Sequence, residues 1–288
     1  MDAPPVEDLA QQLNETTLEA SGEDVAPEEP TIESPKALTW RRNKLSDKER
    51  YEDDFYFEIN GKRMVINQDV ANELDTVGLT VWDSSLVMMK YLEKLHNQGR
   101  FGRGMKVLEL GSGCAPVSIA AGMLGAQVTA TDVEWILVFT KRNSELNRKL
   151  IEEGGGSVEC RTLYWGREAD MEGLPHFDFI IAADCIYKEK QVVTLLKTMH
   201  QLADEKTKIL VGYEQHNPES AHAFYVHVNQ YFDTESIPLS QHDGYYQHPK
   251  IKLMWLTKKE FTPPPTISED TNWVSATATA SKKEQQQA

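Results

Sequence analysis

The chain has 288 residues, of which 40% are hydrophobic and 26% charged, which suggests one large domain or two small ones around a sizeable core. The formal net charge is −15, and residues 1–35 hold ten acidic residues and no Lys or Arg. This balance argues against a nucleic-acid partner, because phosphate-backbone binding needs a basic face. Three cysteines without a Cys-x-x-Cys pair argue against a disulfide framework and a zinc site. No apolar run approaches the roughly 18 residues of a membrane span, so we expect a cytoplasmic protein without a membrane partner.

Both ends of the chain are poor in aromatic residues and rich in Glu, Pro, Thr and Ser. Such segments bury too little apolar surface to offset the entropy of ordering. We therefore expect disordered tails at 1–36, which is acidic, and at 259–288. The remainder divides into an N-terminal extension, 37–100, and a core domain, 101–258.

The extension contains an alternating run, 55–66, centred on Asn60-Gly61. Asn-Gly between alternating apolar residues indicates a β-hairpin with a type I′ turn. A helix is predicted at 86–95, and the polar residues from Asp83 resemble its N-cap. The extension is expected to pack on the core.

Strand and helix patterns alternate through the core, which predicts an α/β, Rossmann-like fold with a mostly parallel sheet. The last two strands follow each other without a helix, so they form a C-terminal antiparallel hairpin. The predicted strands are 106–110, 127–131, 157–165, 177–183, 208–213, 232–239 and 250–256, and the predicted helices are 117–124, 134–152, 190–202 and 219–230.

The strongest local signal is Gly111-Ser112-Gly113, directly after the first core strand. Glycines there let a ligand approach the backbone. Asp132 ends the next strand, about 20 residues on, where an acid accepts hydrogen bonds from a ribose. Together they predict a nucleotide-like cofactor, and the alternative is a plain turn with a helix-capping Asp.

The loop also discriminates between cofactors. Pro116 stands where a dinucleotide fingerprint has its third glycine, which disfavours an NAD enzyme. Glu109, inside the strand, suits the sulfonium and amino group of S-adenosylmethionine, because a carboxylate attracts both charges. We therefore predict S-adenosylmethionine as the cofactor.

Several chemistry-bearing residues follow other predicted strands and so reach the same edge of the sheet. Asp184, after Ala183 at the end of the most apolar strand, is a candidate catalytic carboxylate, with Tyr187 lining the same opening. The alternative is that Asp184 caps the next helix. Trp165 either lines the site or packs in the core, and the same choice applies to Trp82.

Glu214 and Gln215 end a further strand at this edge. They either contact a substrate or form a solvated strand end.

Five stretches, in this order, resemble the methyltransferase-like family 21 protein-lysine methyltransferases over residues 55–258. They are Val-Trp-Asp-Ser-Ser, Val-Leu-Glu-Leu-Gly-Ser-Gly, Thr-Asp-Val-Glu, Leu-Tyr-Trp-Gly and Ala-Asp-Cys-Ile-Tyr. The resemblance implies a seven-stranded enzyme that transfers a methyl group from S-adenosylmethionine to a lysine side chain. The family's Asp-x-x-Tyr motif falls on Asp184 and Tyr187. Its cofactor contacts fall on Trp82, Gly111, Ser112, Gly113, Asp132, Trp165 and Ala183. The chain departs from the family at Cys114-Ala-Pro116, which replaces the usual Thr-Gly and small residue.

Two distal stretches, 212–215 and 232–243, are similar to the family member that acts on the valosin-containing AAA ATPase. The resemblance therefore implies a protein substrate, with that ATPase or another chaperone as the candidate. A small-molecule methyltransferase and a non-catalytic S-adenosylmethionine-dependent binding protein remain alternatives. An adenine-methylating enzyme is disfavoured, because Asp184-Cys-Ile-Tyr187 lacks the prolines of that class.

Overall fold

The computed structural model describes residues 54–68, 77–215 and 218–260. The predicted tail 1–36 lies outside these ranges, as does the tail 259–288 except for its first two residues. Strands are β1 Asp54–Ile59, β2 Lys62–Asn67, β3 Lys106–Leu110, β4 Gln127–Asp132, β5 Ser157–Thr162, β6 Phe179–Ala183, β7 Lys208–Glu214, β8 Phe232–Ile237 and β9 Ile251–Lys258. Helices are α1 Asp83–Asn97, α2 Pro116–Met123, α3 Leu137–Leu146, α4 Arg148–Gly154, α5 Glu168–Met171, α6 Glu189–Leu202 and α7 Pro218–Tyr231.

Seven strands form one sheet in the order β5-β4-β3-β6-β7-β9-β8. The pairs among β3 to β7 are parallel, whereas β9 runs antiparallel to both β7 and β8. The predicted α/β fold with a C-terminal antiparallel hairpin is confirmed. The chain reverses its direction of travel across the sheet between β3 and β6, and ligands of such sheets bind at this switch point.

The two faces of the sheet carry separate apolar layers. One includes Met88 and Leu92 of α1 and Ile119 of α2. The other includes Leu196 of α6 and Phe224 of α7. Because both faces are covered, the central strand β6 is apolar along its whole length, as is usual for parallel sheets.

Strands β1 and β2 form the predicted hairpin in a separate two-stranded sheet. Asn60 and Gly61 have φ values of 47° and 71°, and Ile59 pairs with Lys62 across them. Two consecutive positive φ angles define a type I′ turn, so this prediction is confirmed.

Two asparagine side chains attach the hairpin to the core. The Asn147 amide pairs with the backbone of Val65, accepting from its N–H at 3.0 Å and donating to its carbonyl. Asn143 makes the same pair of bonds to Asn67, at 2.9 and 3.0 Å. Residues four apart on a helix and two apart on a strand both advance by about 6–7 Å, so each amide meets one exposed edge position of β2.

Three local predictions were wrong. The predicted helix 134–152 is two helices, α3 and α4, which meet at Asn147, whose side chain bonds β2 and the carbonyl of Asn143. The strand predicted to reach Trp165 ends at Thr162, because the chain then turns and the N–H of Tyr164 bonds the Asp170 carboxylate. Asp83 is the first residue of α1 and not its cap.

Candidate active site

The carboxyl ends of β3 to β7 meet at one edge of the sheet, called here the rim. The rim carries the glycine loop 111–113, Asp132, Trp165, Asp184 and Glu214, which follow or end successive strands. The predicted convergence of these residues therefore occurs. Their functional roles stay predictions.

The glycine loop needs two residues without side chains. Gly111 has φ 73°, and a Cβ there would lie 2.6 Å from Cys185 Sγ and 3.1 Å from the Trp165 ring. Gly113 has φ 55°, and a Cβ there would lie 2.8 Å from the Gly78 carbonyl oxygen. These glycines let Trp165 and the Gly78 turn close onto the loop.

Asp132 links this loop to the end of β4. Its Oδ2 accepts from the Gly113 N–H at 2.8 Å, and its Oδ1 accepts from the Val133 N–H at 2.7 Å. Burial raises the pKa of Asp132 to about 6, against the lowering effect of these two donors. The carboxylate is thus oriented within the loop, although its ionised form is less favoured than in water.

Ser112, between the two glycines, is buried, and its hydroxyl meets no hydrogen-bond partner in the described part of the chain. A buried hydroxyl of this kind is costly unless a ligand or water satisfies it. The unsatisfied hydroxyl, the glycine backbone and the Asp132 carboxylate fit a polar nucleoside cofactor such as S-adenosylmethionine.

Helix α3 supports the loop from outside. The Thr140 hydroxyl donates to the Gly113 carbonyl at 2.7 Å, and Asn143 Nδ2 donates to the Cys114 carbonyl at 2.9 Å. Sequence analysis missed both residues. Their spacing of three on one helical face is a weak signal for buried polar contacts, which only the fold makes specific.

Glu109, a predicted cofactor contact, lies within β3 beneath the loop. It is buried, and its carboxyl accepts a hydrogen bond from the Ser118 hydroxyl of α2. Burial raises its pKa to about 8, against the effect of Ser118. The structure thus places Glu109 in the layer under the loop and not on the rim itself.

Asp184 has a left-handed backbone with φ 59°. Its N–H donates to the Gly212 carbonyl at 2.7 Å, and its Oδ1 accepts from the Glu214 N–H at 3.1 Å. Helix α6 begins at Glu189 with Lys188 as its N-cap and no side-chain cap. The helix-capping alternative is therefore wrong, and β7 fixes the Asp184 carboxylate.

The residues that follow Asp184 are mostly buried or half-buried at the rim. Cys185 is buried, and its thiol donates to the Leu110 carbonyl at 3.1 Å, while burial raises its pKa well above the usual range. It is a packing residue and not a nucleophile. Tyr187 is half-buried, and burial also raises its pKa, so its phenol stays neutral. The Lys188 ammonium lies 5.5 Å from the centroid of its ring.

Three further predicted contacts are half-buried at or near the rim. Trp165 borders Gly111, Trp82 precedes α1, and Ala183 ends β6 opposite Gly212. Half-burial suits aromatic rings that form a wall of a pocket as well as part of the core.

Three further observations concern metals, membranes and thiols. Within the ranges that the structure describes, no three His, Cys, Asp or Glu side chains come together as a metal site. None of the helices described there is both long and apolar enough to cross a bilayer. All three cysteines are free.

Comparisons with known proteins give consistent results. Residues 58–230 match the family model described as lysine methyltransferase. The protein N-lysine methyltransferase METTL21A of Xenopus tropicalis is 36% identical over 136 residues, which are 47% of this chain and 60% of that protein. METTL21A of Mus musculus is 37% identical over 137 residues, with the same two shares. The chain thus spans 60% of the length of these curated relatives.

Among solved structures, the 16S rRNA N2 G1207 methyltransferase of T. thermophilus, in complex with AdoMet and guanosine, has a TM-score of 0.48. It is 12% identical, and the match covers 72% of this chain and 50% of that one.

The family-model match covers more than half of the chain and confirms the resemblance found in the sequence: the protein belongs to the lysine methyltransferase family.

Proposed function

We propose that this protein is a protein-lysine N-methyltransferase that uses S-adenosylmethionine. The observation that carries the proposal is Asp184. It directly follows β6, the neighbour of β3, which carries the glycine loop. Two hydrogen bonds to β7 hold it in a left-handed backbone conformation. Unusual backbone conformations that the surrounding fold enforces are concentrated at functional sites.

The cofactor half of the site is formed by the glycine loop, Asp132 and the two tryptophans. The Asp132 carboxylate accepts the ribose hydroxyls, the unsatisfied Ser112 hydroxyl bonds a polar group of the cofactor, and Trp165 with Trp82 provides aromatic walls. Glu109 contributes negative charge from beneath the loop when ionised. When bound, S-adenosylmethionine would supply its sulfonium methyl group to a lysine amine that has already lost a proton to water, and would leave as S-adenosylhomocysteine when the sulfur–methyl bond breaks.

The lysine half is formed by Asp184 and Tyr187. The Asp184 carboxylate accepts a hydrogen bond from the lysine nitrogen and orients it, which is the main requirement of an in-line displacement. The neutral ring of Tyr187 offers its face to the cation, worth about 0.5–2 kcal/mol. Its half-buried position also limits water near the amine, and this desolvation acts to lower the lysine pKa from about 10.4, against the raising effect of the Asp184 carboxylate.

A second part of the proposal concerns the identity of the protein substrate. The valosin-containing AAA ATPase is the first protein to test, on the resemblance of residues 212–215 and 232–243, with other chaperones next. A cytoplasmic location accords with three free thiols, since reducing compartments keep cysteines unpaired.

The test is incubation of the protein with deuterated-methyl S-adenosylmethionine and a cell extract, followed by mass spectrometry of tryptic peptides. The proposal expects labelled methyl groups on lysine side chains. Asp184→Ala is expected to lose at least about a hundredfold in transfer rate while still binding S-adenosylhomocysteine, because orientation of the nucleophile is lost and the cofactor half is retained.

The alternatives give different results. Label confined to the low-molecular-weight fraction would indicate a small-molecule methyltransferase. Cofactor binding without any transfer would indicate a binding protein. Full transfer by Asp184→Ala would remove that residue from the mechanism.

A further inference from the structure

Strand β7 delivers a second carboxylate to the site. Along β7, Leu210 belongs to the apolar layer of α1, while Val211 and Tyr213 belong to the opposite layer. A Cβ on Gly212 would lie 2.7 Å from Met88 Cε of α1. Because side chains alternate along a strand, Glu214 leaves the sheet on the α1 face. Its cross-strand partner Ile251 belongs to the same layer, which supports this assignment.

Helix α1 and strand β7 run in opposite directions, so the start of α1 lies at the rim. The chain just before α1 contacts the glycine loop at Gly113, and the chain just after it places Phe101 5.2 Å from Phe179 at the start of β6. Met88 of α1 lies against Gly212 of β7. Ser84 is one helical turn before Met88, and Glu214 is two residues after Gly212. Both steps go about 5–7 Å toward the rim. These steps place Ser84 and Glu214 at the same level of the interface between helix and strand, at its rim end.

Ser84 is fully buried, and its hydroxyl finds no hydrogen-bond partner among the described residues. Glu214 is half-buried, and its carboxylate forms no ion pair with any described cation. Two lysines of the adjoining segments point elsewhere. Lys188 lies over the Tyr187 ring, and Lys252, opposite Tyr213 in β9, leaves the sheet on the other face. A half-buried carboxylate and an unsatisfied hydroxyl at the same level of this interface are suited to receive a cationic donor.

The Asp184 carboxylate lies next to this pair, since its Oδ1 is 3.1 Å from the backbone nitrogen of Glu214. We propose that Glu214 is a specificity-determining residue, whose carboxylate, with the Ser84 hydroxyl, binds the ammonium of the substrate lysine beside Asp184. The inference rests on the proposed function. Asp184 orients the nitrogen, and Glu214 selects a cationic side chain over neutral nucleophiles.

Sinefungin is a suitable probe, because an amine-bearing carbon replaces the methylsulfonium of S-adenosylmethionine and carries a cation to the position facing the lysine. S-adenosylhomocysteine lacks that cation and serves as the reference ligand. Calorimetry gives the affinity ratio of the two ligands without requiring knowledge of the protein substrate. We expect Glu214→Gln to lower the affinity for sinefungin about fivefold or more, through loss of a charge-assisted hydrogen bond. The affinity for S-adenosylhomocysteine should not change.

Glu214→Asp should restore part of the preference, because it keeps a carboxylate. Ser84→Ala should reduce the preference in the same direction, which keeps the test available if Glu214→Gln fails to fold. Glu219→Gln, an exposed acid in the first turn of α7, is the matched control and should leave the ratio unchanged.

An unchanged ratio in Glu214→Gln, or an equal drop in Glu219→Gln, overturns the inference while the proposed function stands. A wild-type protein that binds neither ligand contradicts the proposed function and the inference with it.

Discussion

At the scale of single residues, the active rim depends on backbone conformations that most side chains avoid. Asp184 and Ala115 join Asn60 as the described non-glycine residues with positive φ. A left-handed conformation costs an L-residue roughly 1–2 kcal/mol. Asn60 makes a hairpin turn, but the other two flank the predicted cofactor, one after β6 and one after the glycine loop. At Asp184, hydrogen bonds to Gly212 and Glu214 hold this conformation and orient the carboxylate.

Asp132 should make cofactor binding dependent on pH. Its pKa is raised to about 6 by burial, and ribose hydroxyls donate more strongly to the ionised carboxylate than to the protonated form. Binding should therefore release a proton, and the affinity for S-adenosylhomocysteine should fall as the pH drops below about 6. Asp132→Ala should bind about tenfold or more weakly at neutral pH, through loss of a charge-assisted hydrogen bond. Calorimetry between about pH 5 and 8 measures both effects.

Asp132→Asn is the control for the pH effect, because it keeps the shape and cannot ionise. Its affinity should be low and independent of pH over the same interval. If the wild-type affinity does not change between these pH values, Asp132 is not the ribose acceptor.

Glu109 should make the stability of the fold depend on pH. Its pKa in the folded state, about 8, lies above its ordinary value of 4.5, so the folded protein keeps a proton that the unfolded chain has released. The free energy of unfolding should therefore decrease as the pH rises from about 5 to about 8. Glu109→Gln resembles the protonated form, and the decrease should be smaller in this variant.

Urea denaturation at the two ends of this interval provides the measurement. Glu235→Gln, an exposed acid on β8, is the control and should retain the wild-type slope. An identical slope in Glu109→Gln would mean that Glu109 is already ionised in the folded protein.

At the scale of elements, the hairpin and the glycine loop are joined through helix α3. Asn143 bonds β2 on one side and the Cys114 carbonyl on the other. Asn147, at the junction with α4, holds the next edge position of β2. One N–H and the C=O of a side-chain amide have the arrangement of a peptide group, so these residues replace a neighbouring strand, while the second N–H donates to the Cys114 or Asn143 carbonyl.

Removal of one amide should leave two backbone groups of Val65 without partners. Asn147 is 1% exposed, so water cannot readily replace it. We expect Asn147→Ala to lower the free energy of unfolding by about 2–3 kcal/mol, the cost of unsatisfied buried groups. Urea denaturation followed by circular dichroism gives this value.

Asn147→Asp keeps the acceptor for the Val65 N–H but turns a buried carboxylate oxygen toward the Val65 and Asn143 carbonyls, so its loss should be at least as large. Asn229→Ala, at an exposed position of α7, is the control and should stay within about 0.5 kcal/mol of wild type. A similarly small loss in Asn147→Ala would show that the hairpin does not depend on this contact.

At the scale of the whole molecule, sequence periodicity was sufficient for the fold. The alternation of strands and helices, the antiparallel end of the sheet and the type I′ turn were all predictable. Each depends on a local pattern: apolar runs for covered strands, and Asn-Gly for the turn. The convergence of Gly111, Asp132 and Asp184 was also predictable, because parallel strands share one edge.

Long-range side-chain contacts were not predictable. Asn143 and Asn147 lie within an ordinary helical pattern, and nothing local shows that they face β2, which lies 76 and 82 residues earlier in the chain. The bond from the Glu214 N–H to Asp184 depends on the register of two strands, which spacing in sequence does not determine.

The most direct test of the central claim is a crystal structure of the protein with S-adenosylhomocysteine. We expect the ribose of the ligand to bind the Asp132 carboxylate and its amino-acid portion to lie over Gly111 to Gly113. The ligand sulfur should face Asp184. Density for the ligand elsewhere on the molecule, or a rim closed by packing so that the ligand cannot enter, would contradict the account.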